Sequence, residues 1–467
     1  MTNEMESLFN PQSLAVAGVT EDRFNLGFLY LNENEKMGFK GILYAISRRG
    51  KIAHYPTYQR VIGIPGPVDV VIILVPINSV LQVLQDCVAK GVKWAVLDTS
   101  GFSETGKPEG EELEKKVLEI ITGSRTRVIG PNCMGPYSPI SGIAFERSLS
   151  EKKDDIAFIS QSGALSILLA RVAKEKGFGF SKVISYGNEC DVTGVDFFEY
   201  IAGDQQTKIV AAYIETAKDE QRFLRALENI TKSKPVIILK GGTTNSGIRA
   251  ALYHTASDAG FPDHWEEILR KAGAVQVESF EELVDAIITF KFARPPKGRR
   301  TVTISPSGGM SVLFTDLAEK KGFTVPELSQ QTQKRLEEIF AAGTSARNPL
   351  DLAGYSFFNL KTIRETIAIL DADEEVDSII FHLPMDFLMP IIEDRPWYEE
   401  KFLSTLVNSK PANKPLIIVM PHTIGNAKRT EVEKILLEQN LPVYPTIERA
   451  INALTHLINY RAKQVKY

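Results

Sequence analysis

Cysteine is scarce: the 467 residues contain three, Cys87, Cys133 and Cys190, far apart and with no CxxC pair. A disulfide framework and a structural zinc site are both excluded by that spacing, and a reducing cytoplasm is the expected compartment. Long apolar runs are missing as well. No stretch approaches the roughly 20 residues that span a bilayer, and the N-terminal MTNEMESLFNPQS carries acidic residues and no apolar h-region. Neither membrane insertion nor export is expected. Excess positive charge is absent, since the formal net charge is -4, so there is no general basic field to attract nucleic acid. Two signatures are lacking too: no GxGxxG follows a strand, and no GxxxxGK[ST] loop occurs.

What is present suits a globular α/β protein. Hydrophobic residues make up 43% of the chain and charged residues 24%, over a length that allows about three domains. Short β-branched runs recur: SLAVAGV (13–19), GILYAIS (41–47), VDVVIILVP (68–76), KWAVLDTS (93–100) and TRVIGP (126–131). They alternate with helical patterns, of which GEELEKKVLEII (110–121) is the clearest. Continuous apolar strands alternating with amphipathic helices predict a parallel sheet covered on both faces. Residues 1–145 therefore read as a Rossmann-like domain. Further alternations begin at IAFIS (156–160) and TVTIS (301–305), with the basic, proline-containing PPKGRR (295–300) as a linker. The expected domains are 1–145, 150–294 and 300–467.

The second and third units look like copies. ISQSGALSILLARVAKEKGF (159–178) lies over ISPSGGMSVLFTDLAEKKGF (304–323) with half of the positions identical. GNECDVTG (187–194) parallels RNPLDLAG (347–354), and KPVIILKGG (234–242) parallels KPLIIVMPH (414–422), in the same order. Both copies are expected to be flavodoxin-like parallel sheets. The first copy carries a longer connection after its KP strand, and that connection contains His254. An added loop on a duplicated scaffold is a place to look for function.

In each copy a strand runs into Ser-x-Ser-Gly and then a helix. The first helical turn has N–H groups without intrahelical partners and the positive end of the helix dipole, which together attract an anion. Ser162, Gly163 and Ala164 in one copy, and Ser307, Gly308 and Gly309 in the other, are thus candidate phosphate-binding ends that can converge on one phosphate. A plain N-cap is the competing role for either serine. His254, in GGTTNSGIRAALYHTASDAG (241–260), is expected on a mobile loop, where a neutral imidazole can attack phosphorus and carry the product between sites. Glu215 closes the strand KIVAAYIE (208–215), at the sheet edge where such folds bind ligands, and can fix the imidazole tautomer.

In the first domain Gly18-Val19-Thr20 follows the first strand, and Gly27 lies in the next helix. The second strand ends in Ser47-Arg48-Arg49-Gly50, with no acidic residue for an NAD ribose. Basic groups there suit a ribose bearing a 2′- or 3′-phosphate, which fits NADP and CoA equally.

These motifs, together with FNPQSLAVAGVT (9–20), VPINSV (75–80), SGFSETG (100–106), IGPNCMGPYSP (129–139), ISYGNECDV (184–192) and LPVYPTIERAINAL (441–454), resemble in order the α subunit of ADP-forming acetyl-CoA synthetases, relatives of succinyl-CoA synthetase. The resemblance covers nearly the whole chain. It implies an acid–thiol ligase: acyl-CoA and phosphate give acyl phosphate and CoA, His254 takes the phosphoryl group, and phosphohistidine phosphorylates ADP. It implies CoA binding by Gly18, Val19, Thr20, Arg48 or Arg49, Val75, Pro76, Thr99 and Ser100, with Asn132 and Cys133 near the thioester. It also implies a hetero-oligomer with an ATP-grasp β subunit that carries ATP or ADP with Mg, and a small carboxylic acid as substrate. No metal site is expected on this chain. Around the histidine the chain departs from the family, with Thr243, Thr244 and Asn245 before it and Ala256-Ser257-Asp258-Ala259-Gly260 after it. The alternative those departures leave is a non-catalytic CoA-responsive or assembly protein of the same fold. An NADP oxidoreductase is disfavoured by the missing GxGxxG.

Overall fold

The computed structural model describes residues 2–255, 262–353, 357–422 and 426–464. The runs read as strands in the N-terminal segment become β1 (Ser13–Ala17), β2 (Ile42–Ile46), β3 (Thr57–Tyr58), β4 (Val70–Ile73), β5 (Trp94–Leu97) and β6 (Arg127–Ile129). They pair in parallel in the order β3-β2-β1-β4-β5-β6, the doubly wound order of a Rossmann sheet. Every residue of β1, β4 and β5 is buried, as strands covered by helices on both faces require. Helix Pro108–Ile121 starts with proline, carries Glu109 and Glu111 in its first turn and buries Val117 and Ile121. Fixed φ, favourable charge at the positive dipole end and one apolar face thus point to the same element.

The next strands are β7 (Gly135–Tyr137), β8 (Lys153–Ser160), β9 (Phe180–Ser185), β10 (Ile209–Ile214), β11 (Val236–Lys240) and β12 (Val275–Val277), in the order β12-β11-β10-β8-β9-β7. All neighbours are parallel except β7, which runs antiparallel along β9. The last sheet contains β13 (Thr301–Ser305), β14 (Leu350–Asp351), β15 (Ser378–His382), β16 (Leu416–Val419) and β17 (Val443–Tyr444), ordered β14-β13-β15-β16-β17 and parallel throughout. Without the added edge β7, the two sheets have one connectivity, the flavodoxin order in which the first strand lies between the second and third. The repeat read in the amino-acid sequence is therefore a repeat of topology. The α/β fold, a Rossmann-like sheet followed by two flavodoxin-like ones, is as predicted.

The chain forms two compact units, residues 1–174 with 178–278, and residues 175–177 with 279–467. The first unit holds two sheets. They are tied where the Arg127 guanidinium grips Asp191 of the GNECDVTG segment, Nε to Oδ2 and Nη2 to Oδ1 both at 2.9 Å, while Val128 N–H donates to Oδ2 at 2.8 Å. Within the second sheet's own layer, β9 is joined to the end of helix Gly194–Gly203 by the buried pair Lys182–Asp204 at 2.9 Å. Removing one partner of such a pair costs about 3–5 kcal/mol, because the other charge is left without compensation. In the second unit, helix Phe280–Phe292 packs on helix Ile447–Gln464, where Arg449 Nη2 donates to Asp285 at 2.8 Å and His456 meets Glu282 at 2.7 Å. Among the described residues no helix is long and apolar enough to cross a membrane.

Candidate functional site

A cavity of about 760 Å³ opens at the carboxyl ends of β1, β2, β4 and β5. In the Rossmann order this is the switch point, where helices leave the sheet on opposite sides and open a crevice. Gly18, Val19 and Thr20 line it after β1, Arg48 and Arg49 after β2, Val75 and Pro76 after β4, and Thr99 and Ser100 after β5. Gly18 adopts φ +100°, and a Cβ there would lie 2.5 Å from the Leu74 carbonyl oxygen. Only glycine lets the turn pass so close to the end of β4. Gly27 opens room for the next helix, since a Cβ on it would lie 3.1 Å from the Gly18 carbonyl oxygen. The two glycines thus perform the tight turn and the close packing of the standard fingerprint at a different spacing.

Three residues that the motif reading passed over complete this wall. Asn25 Oδ1 accepts from Thr20 N–H at 3.1 Å and from Phe28 N–H at 3.0 Å, so it both shapes the turn and caps helix Leu26–Met37. Arg60 also faces the cavity, with Nε donating to Asp86 Oδ2 at 2.9 Å. Asp98 lies at the end of β5, and burial pushes its carboxyl up to about 7. The signal for Asp98 was its place directly before Thr99-Ser100; Arg60 had none. Asn132 and Cys133 are not part of the cavity lining. Asn132 sits at φ +58° with its N–H donating to Thr99 O at 3.3 Å. Cys133 is 3% exposed, its thiol directed at Leu97 O at 3.5 Å, and burial raises its pKa well above that of a free thiol. Such a thiol is a small buried packing group.

The Ser-x-Ser-Gly segments repeat bond for bond. After β8, Ser162 Oγ accepts from Leu165 N–H at 3.3 Å and Ser160 Oγ accepts from Ser162 N–H at 3.1 Å. After β13, Ser307 Oγ accepts from Met310 N–H at 3.4 Å and Ser305 Oγ accepts from Ser307 N–H at 3.1 Å. Both serines are therefore N-caps, the competing role, and what remains for an anion is the main chain at Gly163-Ala164 and Gly308-Gly309. The surroundings of the two ends differ. A Cβ on Gly163 would meet Met134 Cγ at 2.8 Å and Ser185 Oγ at 3.6 Å, whereas one on Gly308 would meet Asp351 Oδ2 at 2.8 Å. Strand register explains this, because Ser160 pairs with Ser185 and Ser305 with Asp351. A carboxylate beside the second helix end takes up part of the dipole's attraction and repels an incoming anion.

Glu215, read as a strand end, is 3% exposed. Its Oε1 accepts from Tyr213 OH at 2.8 Å, and its N–H donates to Gln161 Oε1, which also accepts from Thr216 N–H at 3.1 Å. Gln161, the x of Ser-x-Ser-Gly, thereby joins the first helix end to Glu215. Lys240, at the end of β11, donates from Nζ to the Glu215 carbonyl at 2.7 Å and to that of Gly241, and burial pulls its ammonium down to about 8.

His254 was expected on a loop, but its main chain belongs to helix Asn245–Thr255. The helix begins there because Thr244 Oγ1 accepts from Gly247 N–H at 3.0 Å, and Ile-Arg-Ala-Ala-Leu then favours helix. Its side chain and residues 256–261, with Asp258, lie outside the described set. Of the other histidines, His54, His264 and His456 each meet a glutamate, at 2.9, 2.8 and 2.7 Å, and His382 Nδ1 meets Ser305 Oγ at 3.0 Å. Among the described residues there is no group of three or more His, Cys, Asp or Glu that could hold a metal ion.

Comparison with known proteins agrees with this geometry. Residues 12–138 match a CoA binding domain, and residues 153–290 match a succinyl-CoA ligase like flavodoxin domain. The alpha subunit of ADP-forming acetate–CoA ligase II from Pyrococcus furiosus is 36% identical over 379 residues, 80% of this chain and 81% of that one. ADP-forming acetate–CoA ligase I of Archaeoglobus fulgidus is 33% identical over 461 residues, 98% of this chain, which spans 64% of the longer protein. The solved structure of the dinucleotide forming acetyl-coenzyme A synthetase 1 of Ca. Korarchaeum cryptofilum, in complex with phosphate and ADP, is similar at a TM-score of 0.84 and 27% identity, covering 100% of this chain and 98% of that one. With a CoA-binding sheet, a succinyl-CoA ligase like sheet and relatives of this identity and coverage, the chain belongs to the family of ADP-forming acyl-CoA synthetase alpha subunits.

Proposed function

We propose that this chain is the CoA-binding, phosphohistidine-bearing subunit of an ADP-forming acyl-CoA synthetase, working in the cytoplasm with a separate ATP-grasp subunit. The designation of relatives as subunit alpha supports a partner. That partner would bind ATP or ADP with Mg, and the pair would form a hetero-oligomer. The three sheets serve as three modules, divided near residues 145 and 294–300.

The cavity takes CoA, with the exposed Arg48 and Arg49 at its rim suited to a ribose phosphate and the Gly18–Thr20 turn suited to the pyrophosphate. Val75-Pro76 and Thr99-Ser100 also line the cavity, and the Asn132-Cys133 segment would lie toward the thioester as a packing and turn element. Phosphate attacks the acyl-CoA carbonyl, the C–S bond breaks, and CoA leaves as acyl phosphate forms. His254 then attacks phosphorus, the P–O bond to the acyl oxygen breaks, and the carboxylic acid departs. ADP finally takes the phosphoryl group from the imidazole nitrogen. Gly163 and Ala164, behind the Ser162 cap, would hold the phosphoryl group, and Glu215 would accept the imidazole N–H and set its tautomer. Ser307, Gly308 and Gly309 form the second phosphate end, weakened by Asp351.

The observation that carries this reading is the Gln161 side chain, which joins the main chain at the buried Glu215 to a helix N-terminus within one unit. Its test is reconstitution with the ATP-grasp partner and a panel of short acids, with CoA and ATP. Acyl-CoA and ADP should appear together, and His254→Ala should stop their formation while CoA affinity is kept. A folded pair that binds CoA but turns over no acid would favour the assembly-protein alternative.

A further inference from the structure

Glu189 is a buried titratable group to which the proposed reaction gives no task. It is 3% exposed and sits at φ +59°, a left-handed conformation uncommon for glutamate. Such a backbone persists only where its surroundings hold it. Here they do: Glu189 Oε1 accepts from Gln161 Nε2 at 2.8 Å, Oε2 accepts from Gly194 N–H at 3.4 Å, and the Glu189 carbonyl accepts from Lys218 Nζ at 2.5 Å. Gly194 is the first residue of helix Gly194–Gly203, so the carboxylate also stands at the positive end of a helix dipole.

The other end of Gln161 is the important one. Its Oε1 accepts from the main-chain N–H groups of Glu215 and Thr216. A carboxamide has one acceptor end and one donor end, and a flip would aim its NH₂ at two N–H donors. Glu189, by accepting from the NH₂, holds the amide against that flip. The three residues follow β8, β9 and β10, adjacent strands whose carboxyl ends share one edge of the sheet. The chain thus brings together a phosphate-loop residue, a buried acid and the main chain that carries Glu215.

We infer that Glu189 is a positioning residue for phosphoryl transfer: through Gln161 it fixes the main chain at Glu215, and so the place of the Glu215 carboxylate relative to the Ser162 helix end. The inference rests on the roles proposed above for Glu215 and Ser162. Burial pushes the Glu189 carboxyl up to about 7, with Lys218 opposing the shift and Asp196 adding to it. Protonation on Oε2 weakens the long Gly194 contact and leaves Oε1 to accept from Gln161, so the link to the amide persists in both forms.

The experiment is a single-turnover assay on the full chain with its partner subunit, with radiolabelled acetyl phosphate as phosphoryl donor and acid-labile, base-stable label as readout. Glu189→Gln keeps an oxygen for Gln161 and should retain the labelling rate within about threefold. Glu189→Leu keeps bulk but offers no acceptor, and should slow labelling about tenfold or more with CoA affinity unchanged. Gln161→Leu should slow it similarly, and the double variant should be no slower than either single one, because both remove one link. A folded Glu189→Leu protein labelling at the wild-type rate overturns the inference. If that variant does not fold, Glu189→Asn, which tolerates left-handed φ but is one carbon shorter, takes its place, and a wild-type rate there has the same meaning. Absence of label from the wild-type protein would overturn the phosphohistidine reading and this inference with it; label on wild type and equally on Leu or Asn would overturn this inference alone.

Discussion

Asp98→Asn should stabilise the protein at alkaline pH and do so less in acid. Asp98 stands in the cavity wall with its carboxyl pushed from an ordinary 3.8 up to about 7 by burial. A folded-state value above the unfolded one means that folding favours the protonated acid. The corresponding stability is fully present below 3.8, falls as pH rises, and is gone above about 7. At about 1.4 kcal/mol per pK unit the whole span is about 4 kcal/mol, of which about 2–3 kcal/mol is lost between pH 5 and pH 8. Water in the cavity screens the charge and lowers this to about 1–3 kcal/mol. Asparagine keeps the shape and does not titrate. Urea unfolding of both proteins at pH 5 and pH 8 should therefore show the advantage of the variant growing by that amount. An advantage that stays constant across the range refutes the reasoning, because a shape effect has no pH dependence.

Alanine at the helix ends should act unequally: Gly163→Ala puts a methyl 2.8 Å from flexible Met134 Cγ and should cut phosphorylation of His254 about tenfold, while Gly309→Ala, with nothing within 4 Å, should cut it less than about threefold because Asp351 already opposes an anion there. Equal labelling rates in the two variants would remove the distinction between the ends. Arg48→Ala and Arg49→Ala should each weaken CoA binding about five- to tenfold at low salt and less at high salt, measured by calorimetry at two ionic strengths, since both side chains are exposed and screened. Salt-independent affinity in both variants would place the CoA phosphates elsewhere. Calorimetry of the isolated chain with ATP should show no micromolar site, because no Walker loop is present.

Much of the fold was legible because local signals agreed. The apolar runs that became β1, β4 and β5, the ISQSG and ISPSG repeat, and the proline and acidic residues opening helix Pro108–Ile121 all reported burial or capping over a few consecutive residues. Among the cavity-lining candidates, Gly18–Thr20 and Arg48-Arg49 were legible as the ends of β1 and β2, whereas Val75-Pro76 and Thr99-Ser100 came only with the family resemblance. What escaped notice depended on distant partners. Gln161, Glu189 and Glu215 meet only because strand order places β8 between β9 and β10. Asp351 reaches the second helix end because of a register, Ser305 opposite Asp351, that RNPLDLAG alone does not express. β7, three residues long with a proline at its centre, has almost no strand signal and is held by its pairing with β9. The loop expected around His254 became helix Asn245–Thr255 because helix-favouring residues after the Thr244 cap outweighed the glycine and threonine that precede them.

The central claim is that His254 carries the phosphoryl group, and mass mapping of the labelled chain under alkaline conditions tests it most directly. The protein is labelled from ATP in the presence of the proposed ATP-grasp partner, digested at high pH and sequenced. The account predicts a single phosphohistidine at His254, with His54, His264, His382, His422 and His456 unmodified and no label in His254→Ala. A phosphoryl group on any of those other five, or label that persists in a folded His254→Ala protein, would contradict it.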